Sequence, residues 1–331
     1  METAPKVSII VPMFNVSIYI ERCARSLFEQ TFVDLEYIFV NDCSSDSTLQ
    51  VLQGVIKNFP ERSNHIKIIN HKSNKGVSAA RNSGLEISTG QYFMQIDSDD
   101  WVERNMIAEM YEKAVNENSD IVWTDFYVEY PNNSKAAIYR EQNIPNKATE
   151  CITGLLTGGL HSGLWNKLIK RSICVEQNIR FPEEIIACED TAFITLYLTY
   201  AQRISYIPKA FYHYLQNPDS LTIKRNRQTY ESEFEVARIL EKNLMNEIYL
   251  KNLLIYKGRV KRNMLFSGLF SNSEYLNCFP ESIPYIYIGL KSKLNKVVIW
   301  LSLKECFLFA KMVLFFAQVY LKIKHFQIAY K

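Results

Sequence analysis

Residues 37–56 read YIFVNDCSSDSTLQVLQGVI, and the order of residue types along them indicates the fold. The first four residues are apolar, β-branched or aromatic, and they predict a short strand that is buried on both faces. The polar cluster that follows ends at Asp46, a residue type that is favoured at the N-cap of a helix. Leu49, Leu52 and Val55 then recur at helical spacing. The stretch therefore predicts one unit of strand, polar turn and helix.

The same unit recurs along the first 125 residues. Strands that alternate with helices of this length form βαβ units around a mostly parallel sheet. We therefore expect an α/β fold in which helices flank the sheet. Further strands are predicted at residues 7–11, 66–69, 91–96 and 121–123, and further helices at 17–29, 77–87 and 103–115.

Polar clusters follow four of these strands at the point where each strand ends. Right-handed crossovers place the loops that follow parallel strands at one edge of a sheet, so these clusters should converge. The sequence thus predicts a functional site at the carboxyl edge of the sheet. The clusters are Phe14-Asn15, Asn41-Asp42, Asn74-Lys75-Gly76 and Asp97-Ser98-Asp99-Asp100.

The composition argues against several classes of protein. The chain has 331 residues, of which 47% are hydrophobic and 22% charged, and this is too apolar for a disordered chain. A formal net charge of +3 gives no strong attraction to nucleic acid. The seven cysteines form no CxxC pair, so neither a zinc site nor a disulfide framework is indicated, and a reducing cytoplasm is the simplest compartment. The common dinucleotide, P-loop, zincin and hydrolase-elbow motifs do not occur.

Asp97 and Asp99 form the first pattern that suggests chemistry. They follow a buried strand at positions i and i+2, where both carboxylates can reach one divalent cation. Hard oxygen ligands suit Mg²⁺ or Mn²⁺, and such a cation would neutralise a diphosphate. The alternative is a solvated turn that caps a helix.

Two further patterns are compatible with catalysis and phosphate binding. Glu189 and Asp190 open an apolar helix, where one of them could act as a general base, although capping and the helix dipole also explain acidic residues there. The turn at residues 74–76 and Arg81 bring positive charge and a permissive glycine to the start of a helix, as phosphate binding requires.

The ordered set of motifs resembles family 2 glycosyltransferases. The match in order and spacing covers residues 7–125, and a looser similarity continues to about residue 222. The close part consists of VSIIVPMFN (7–15), FVNDCSSDST (39–48), NKGVSAARNSG (74–84) and the stretch from Gly90 to Asp100; the looser part includes WNKL (165–168), Glu189-Asp190 and Tyr212-His213-Tyr214.

This resemblance implies the GT-A fold, a nucleotide-diphosphate-sugar donor and inversion at the anomeric carbon, with uracil as the favoured base and Mn²⁺ or Mg²⁺ as the cofactor. It also implies roles for individual residues. Pro12, Phe14 and Asn15 would border the nucleoside, Asp42 would bind the base, and Asn74, Lys75, Gly76 and Arg81 would lie near the ribose and diphosphate. Asp97, Ser98 and Asp99 would form the DxD motif, with Asp99 the direct metal ligand, Asp97 a second, and His213 a further metal contact; Asp190 would be the catalytic base, supported by Glu189.

One position departs from the family pattern. The family commonly has Asp-Asp-Gly where this chain has Asn41-Asp42-Cys43. Asp42 is retained at the position that would bind the base. Loss of the glycine puts the local turn geometry and the choice of nucleotide in question.

We expect three regions: a nucleotide-sugar-binding half at 1–125, an acceptor-binding and catalytic half at 126–225, and a helical region at 226–331. The tail at 291–331 carries eight lysines against one acid, Glu305. If residues 285–326 are helical, Lys293, Lys304, Lys311 and Lys322 fall on one stripe, because their spacings of 11, 7 and 11 are close to whole turns.

Lysines interrupt every apolar run of the tail, so a membrane-spanning helix is not expected. A lysine-striped helix that lies in the bilayer interface fits better and would hold the protein on the inner face of the cell membrane. The alternative is a helix that packs on the body or on a second subunit of a homo-oligomer.

These expectations define two hypotheses. In the first, the protein is a metal-dependent inverting glycosyltransferase that moves a sugar from a UDP-sugar to a saccharide or lipid-linked saccharide in surface polysaccharide synthesis. In the second, it is a catalytically inactive nucleotide-binding or scaffold protein of the same fold at the membrane.

Overall fold

The parallel half of the structure is built from the strands that the sequence predicts. A computed structural model describes residues 5–131, 136–141, 144–218, 220, 223–244 and 246–316. Four parallel strands lie in the order β3-β2-β1-β4. Their bounds are β1 (Val7–Met13), β2 (Leu35–Asn41), β3 (Ile66–Asn70) and β4 (Tyr92–Gln95), and the helices between and after them are α1 (Ile20–Phe28), α2 (Thr48–Ile56), α3 (Val77–Ile87) and α4 (Met106–Asn116).

The sheet continues beyond β4 with mixed pairing. The further strands are β5 (Trp101–Val102), β6 (Ile121–Glu129), β7 (Ala137–Tyr139), β8 (Lys167–Lys170) and β9 (Ile204–Leu215). The order is β4-β8-β6-β9-β5, with β7 also paired to β6. The β6–β9 pair is parallel, whereas β8 runs antiparallel to both β4 and β6. The α/β fold class is confirmed, and the parallel order holds for β1 to β4.

Both faces of the sheet are covered. Ile10, Ile38 and Val40 pack with residues of α3, α5 (Ala148–Thr157) and α7 (Glu189–Leu198). On the opposite face the neighbouring residues of the same strands, such as Ile9, Val11 and Phe39, pack with α1, α2 and α4. This alternation explains the apolar runs in the sequence, because side chains that point to either face of these strands are buried.

The C-terminal region is helical, as the sequence predicts. It begins with α8 (Arg227–Asn243) and α9 (Glu247–Ser267). Shorter helices are α6 (Arg171–Glu176) and α10 (Asn272–Asn277), and a 3₁₀ helix covers Pro280–Tyr285. The expected boundary at residue 125 falls inside β6, so the two N-terminal regions share one sheet.

The prediction of one continuous helix with a stripe of lysines is wrong for the described part of the tail. α11 (Lys293–Leu303) ends in a turn at 304–306, where Glu305 adopts φ 60°, and a second helical segment follows at 307–316. Lys293 and Lys311 therefore lie on different helical segments, and Lys322 lies outside the described residues. Across the ranges that the structure describes, no helix is both long enough and apolar enough to cross a bilayer.

Candidate functional site

The four polar clusters meet at the carboxyl edge of the parallel strands, as expected. Asn15 Oδ1 accepts a hydrogen bond of 2.8 Å from the backbone N–H of Ser45 in the β2–α2 loop. Asp42, at the end of β2, accepts from the backbone N–H of Gly76 at 2.8 Å. Arg81 of α3 donates to Asp97 Oδ1, after β4, at 2.9 Å. These contacts join the loops after all four strands into one site.

Asp42 organises the turn before α3. Its carboxylate is 3% exposed and accepts hydrogen bonds from the backbone N–H groups of Lys75 at 2.9 Å and Gly76 at 2.8 Å. Gly76 has φ 88°, which residues with a side chain rarely adopt, so a glycine is required here. Asn74 Oδ1 also accepts from the Gly76 N–H at 3.0 Å. The side chain of Lys75 is left exposed at the start of the helix.

His71 is a site residue that the sequence did not reveal. Its Nδ1 lies 2.7 Å from Asp42 Oδ1 and its Nε2 lies 2.9 Å from Ser83 Oγ. The five histidines of the sequence form no pair with the spacing of metal ligands, so the sequence pattern does not single out His71. The signal that could have found His71 is its position directly after β3, at the edge where the other site residues lie.

The residues around the end of β1 differ in their exposure to solvent. Pro12 is buried within β1, whereas Phe14 is 46% exposed and Asn15 is exposed at the edge of the site. Cys43 has φ 63°, in the region that favours glycine. The cysteine thus lies in a backbone conformation that a glycine adopts more readily.

Arg81 contacts three acidic side chains of the site. Its Nη1 donates to Glu189 Oε1 at 2.5 Å and to Asp190 Oδ1 at 2.7 Å, and its Nη2 donates to Asp97 Oδ1. The Arg81 side chain is 4% exposed. The structure therefore places this guanidinium among three carboxylates, where it links the end of β4 to the start of α7.

Glu189 and Asp190 lie in the first turn of α7, and their carboxylates contact Arg81. The N-cap residue, Cys188, makes no side-chain capping bond. Asp190 keeps 18% of its side chain exposed and Glu189 keeps 10%. Burial, reinforced by the neighbouring Glu189 carboxylate and opposed by Arg81, raises the pKa of Asp190 to about 7. A carboxylate with this pKa is suited to accept a proton near neutral pH.

The acidic cluster after β4 is held by β9 and the residues that follow it. Tyr212 donates its hydroxyl to Asp100 Oδ2 at 2.6 Å and accepts from the Asp97 N–H at 3.2 Å. Asn217 donates to Asp99 Oδ2 at 3.1 Å. Burial raises the pKa of Asp99, and the nearby Asp97 carboxylate raises it further. Ser98 is buried between the two aspartates in sequence.

His213 is enclosed by aromatic rings and carboxylates. Its ring stacks between Trp101 and Tyr127, with centroid distances of 4.8 Å and 4.5 Å. Its Nδ1 lies 2.8 Å from Glu129 and its Nε2 lies 3.0 Å from Glu103. Metal contact from His213 would require one of these two contacts to open, because a histidine binds metals through its ring nitrogens.

The charges at this edge fit a divalent cation that is shared with a phosphate group. Three carboxylates share the guanidinium of Arg81, and the carboxyl groups of Asp99 and Asp100 follow in the same loop, where burial raises the pKa of both. Within the described ranges, no three His, Cys, Asp or Glu side chains are grouped so that they could hold a metal ion by themselves. Mg²⁺ is commonly bound through one or two carboxylates together with substrate phosphates, and Asp97 and Asp99 are the residues that could supply such carboxylates here.

Comparison with known proteins places the chain in a family. The sequence profile of Glycosyl transferase family 2 matches residues 8–174. EpsH of Bacillus subtilis is 31% identical over 76% of this chain and 74% of its own length. The GalNAc(5)-diNAcBac-PP-undecaprenol beta-1,3-glucosyltransferase of Campylobacter jejuni is 29% identical over 72% of this chain and 75% of its own.

The fold also matches solved structures. S. aureus TarS 1–349 in complex with UDP-GlcNAc superposes with a TM-score of 0.66 and 22% identity, over 85% of this chain and 81% of that one. The family profile, the relatives and the strand arrangement all point to the same family. The chain belongs to glycosyl transferase family 2 and is a glycosyltransferase of the GT-A fold.

Proposed function

We propose that this glycosyltransferase moves a sugar from a UDP-sugar donor to a saccharide or lipid-linked saccharide acceptor, with Mn²⁺ or Mg²⁺ and with inversion at the anomeric carbon. The observation that carries the proposal is the contact of Arg81 with both Asp97 and Asp190. This contact joins Asp97, which would lie beside the donor, to Asp190, the candidate base. Both lie at the edge of the sheet where ligands bind in open α/β folds.

The donor would bind along the carboxyl ends of β1 to β4. Asp42 would accept from the imide of uracil, between Phe14-Asn15 on one side and the turn at residues 74–76 on the other. The exposed Lys75 and the first turn of α3 supply positive charge for the diphosphate. The UDP-GlcNAc bound to TarS supports a uridine nucleotide.

The transfer would be a single displacement. Asp190 accepts the proton of the acceptor hydroxyl as the hydroxyl oxygen attacks the anomeric carbon, the bond from that carbon to the diphosphate oxygen breaks, and the nucleoside diphosphate leaves with the electron pair. Attack from the face opposite the leaving group inverts the configuration. A cation held by Asp97 and Asp99 would neutralise charge on the departing diphosphate.

The acceptor would be a growing surface polysaccharide or its lipid-linked precursor. The Campylobacter jejuni relative is named for an undecaprenol-linked acceptor, and this supports a lipid-linked saccharide for this chain. Such an acceptor would place the reaction at the cytoplasmic face of the cell membrane.

Calorimetry with UDP tests the proposal. Wild-type protein should bind UDP at least about tenfold more tightly with Mn²⁺ than with a chelator, because the cation neutralises the carboxylates and the diphosphate together. Asp99→Asn should remove the gain, and Asp34→Asn, at an exposed residue, should keep it. An equal affinity of the wild type for UDP with Mn²⁺ and with a chelator would reject the metal role. A lack of UDP binding would reject the proposed donor.

The reaction should depend on pH through Asp190. Because the pKa of this group is raised to about 7, its basic form predominates above pH 7, and kcat/KM should fall about tenfold for each pH unit below it. Initial rates between pH 5 and 9, with donor in excess, measure this profile. A rate that is flat between pH 5 and 7 would contradict this assignment.

Replacement of His71 should weaken donor binding more than turnover. Nδ1 is one of the contacts that hold the Asp42 carboxylate, together with the N–H groups of Lys75 and Gly76, so His71→Ala should loosen this carboxylate and raise the Kd of UDP about tenfold. We expect kcat at saturating donor to change by less than about threefold, since His71 is joined to Asp42 and not to Asp190. His65→Ala, at an exposed histidine directly before β3, is the matched control. Equal effects of the two variants on UDP affinity would refute the role.

A further inference from the structure

The helical segment 307–316 turns its apolar face to the solvent. Five large apolar side chains on it are between 45% and 71% exposed, and they recur at positions i, i+1, i+4, i+7 and i+8 of one helix face. A surface helix of a globular protein normally shows the opposite arrangement. We call these five residues the C-terminal apolar face: Leu308, Phe309, Met312, Phe315 and Phe316.

The opposite side of this segment is attached to the body of the protein. Ala310 is buried, and the Phe307 ring meets the Tyr275 ring edge-on with centroids 6.1 Å apart. The Cys306 N–H donates to the Leu301 carbonyl at 2.8 Å across the turn from α11. The C-terminal apolar face is therefore directed outward by packing on its other side.

Exposed lysines and further exposed apolar residues lie near the C-terminal apolar face. Residues 291–316 contain five lysines and one acid, Glu305, and Lys304 and Lys311 are exposed beside the five apolar side chains. In α11, Val298 and Ile299 pack inward, while Val297 and Trp300 are about half exposed. Large exposed apolar patches of this kind mark surfaces that bind another molecule or a membrane.

We propose that the C-terminal apolar face docks into the headgroup region of a membrane that contains anionic lipid. Phenylalanine rings on one helix face with lysines beside them are typical of helices that lie in the bilayer interface. The lysines favour an anionic surface and disfavour a second copy of the chain, because pairing two such segments would bring their positive charges together. Docking there would bring the site to a lipid-linked acceptor.

Co-sedimentation with vesicles tests this docking. Full-length protein should bind vesicles of phosphatidylcholine with about 30% phosphatidylglycerol at least about tenfold better than vesicles of phosphatidylcholine alone, and about 0.5 M NaCl should weaken the binding. The triple variant Phe309→Ser/Phe315→Ser/Phe316→Ser should lose at least about tenfold in partitioning. The matched control is Val33→Ser/Val115→Ser/Val175→Ser, which changes three other exposed apolar residues and should bind as the wild type does.

Three outcomes would overturn the proposal. The first is wild-type protein that stays in the supernatant with anionic vesicles, and the second is a phenylalanine variant that binds them as well as the wild type does. The third is a wild-type dimer and a monomeric phenylalanine variant in sedimentation velocity, without vesicle binding, which would make the face a subunit interface. UDP calorimetry in solution is independent of lipid, so failure of the docking and failure of the donor assignment are distinguishable.

Discussion

Asp190→Asn should lower kcat by about 10²–10⁴-fold while UDP binding is retained. Asparagine keeps the shape of the side chain and can still contact Arg81 through its carbonyl oxygen, but it cannot take the proton of the acceptor hydroxyl. The loss should therefore appear in turnover and not in the affinity for the nucleotide. Stopped assays of product formation at saturating donor and acceptor measure kcat, and calorimetry with UDP measures the affinity.

Glu189→Gln is the matched control for this experiment. Glu189 contacts the same guanidinium nitrogen and is more buried than Asp190, so the variant tests loss of one negative charge beside Arg81 without loss of the proposed base. We expect its kcat to fall less than that of Asp190→Asn. The residual activity of Asp190→Asn should also lose the pH dependence near 7. Turnover by Asp190→Asn at the wild-type rate, or an equal loss in both variants, would exclude Asp190 as the base.

The N-terminal half of the fold could be predicted because its local signals agree. β1 and β2 each contain a run of mostly apolar residues, as is typical of strands that are buried on both faces, and α3 spans Val77–Ile87 as the helical spacing indicates. Gly76 marks the start of α3 through a backbone conformation that only glycine adopts readily. Each of these elements is specified by residues that are adjacent in sequence.

The second half of the sheet lacks such local signals. β5 has two residues and β8 has four, which is too short for a periodic pattern. β9 contains Pro208 and pairs with β6 through register shifts near Asp125. These strands are fixed by pairing with distant residues. The turn at Glu305 was likewise not predictable, because a glutamate at φ 60° gives no signal of the kind that a glycine would give.

The candidate site shows the same division. The position of Asp97 and Asp99 at a strand end follows from the sequence, but the neighbours of these residues do not. Arg81 lies 108 residues from Glu189, and no spacing rule relates them. The resemblance implies a place for Arg81 near the ribose and diphosphate, and no signal in the sequence indicates the three carboxylates that hold its guanidinium in the structure. Long-range charge pairs of this kind become visible only in the folded chain.

Arg81→Met should destabilise the fold as well as lower the rate. Methionine fills much of the same volume but leaves Asp97, Glu189 and Asp190 without the cation they share, and removal of one partner from a buried ion pair costs about 3–5 kcal/mol. We expect the free energy of unfolding in urea to fall by about this amount at pH 8, and kcat to fall by at least about 10²-fold because the candidate base is no longer positioned.

The destabilisation by Arg81→Met should also be smaller in acid, which separates loss of charge from loss of packing. Without the guanidinium, the buried Asp190 carboxyl loses the positive charge that opposes its desolvation, so its pKa in the folded state rises further above the unfolded value. Protonation then favours the folded state, so the deficit should shrink as the pH falls from 8 to 5. Arg62→Met is the matched control, because Arg62 donates to backbone carbonyls, among them that of Gln30 at 2.7 Å. A deficit for Arg81→Met that is independent of pH, as expected for Arg62→Met, would show that Arg81 acts through packing and not as the shared cation of the site.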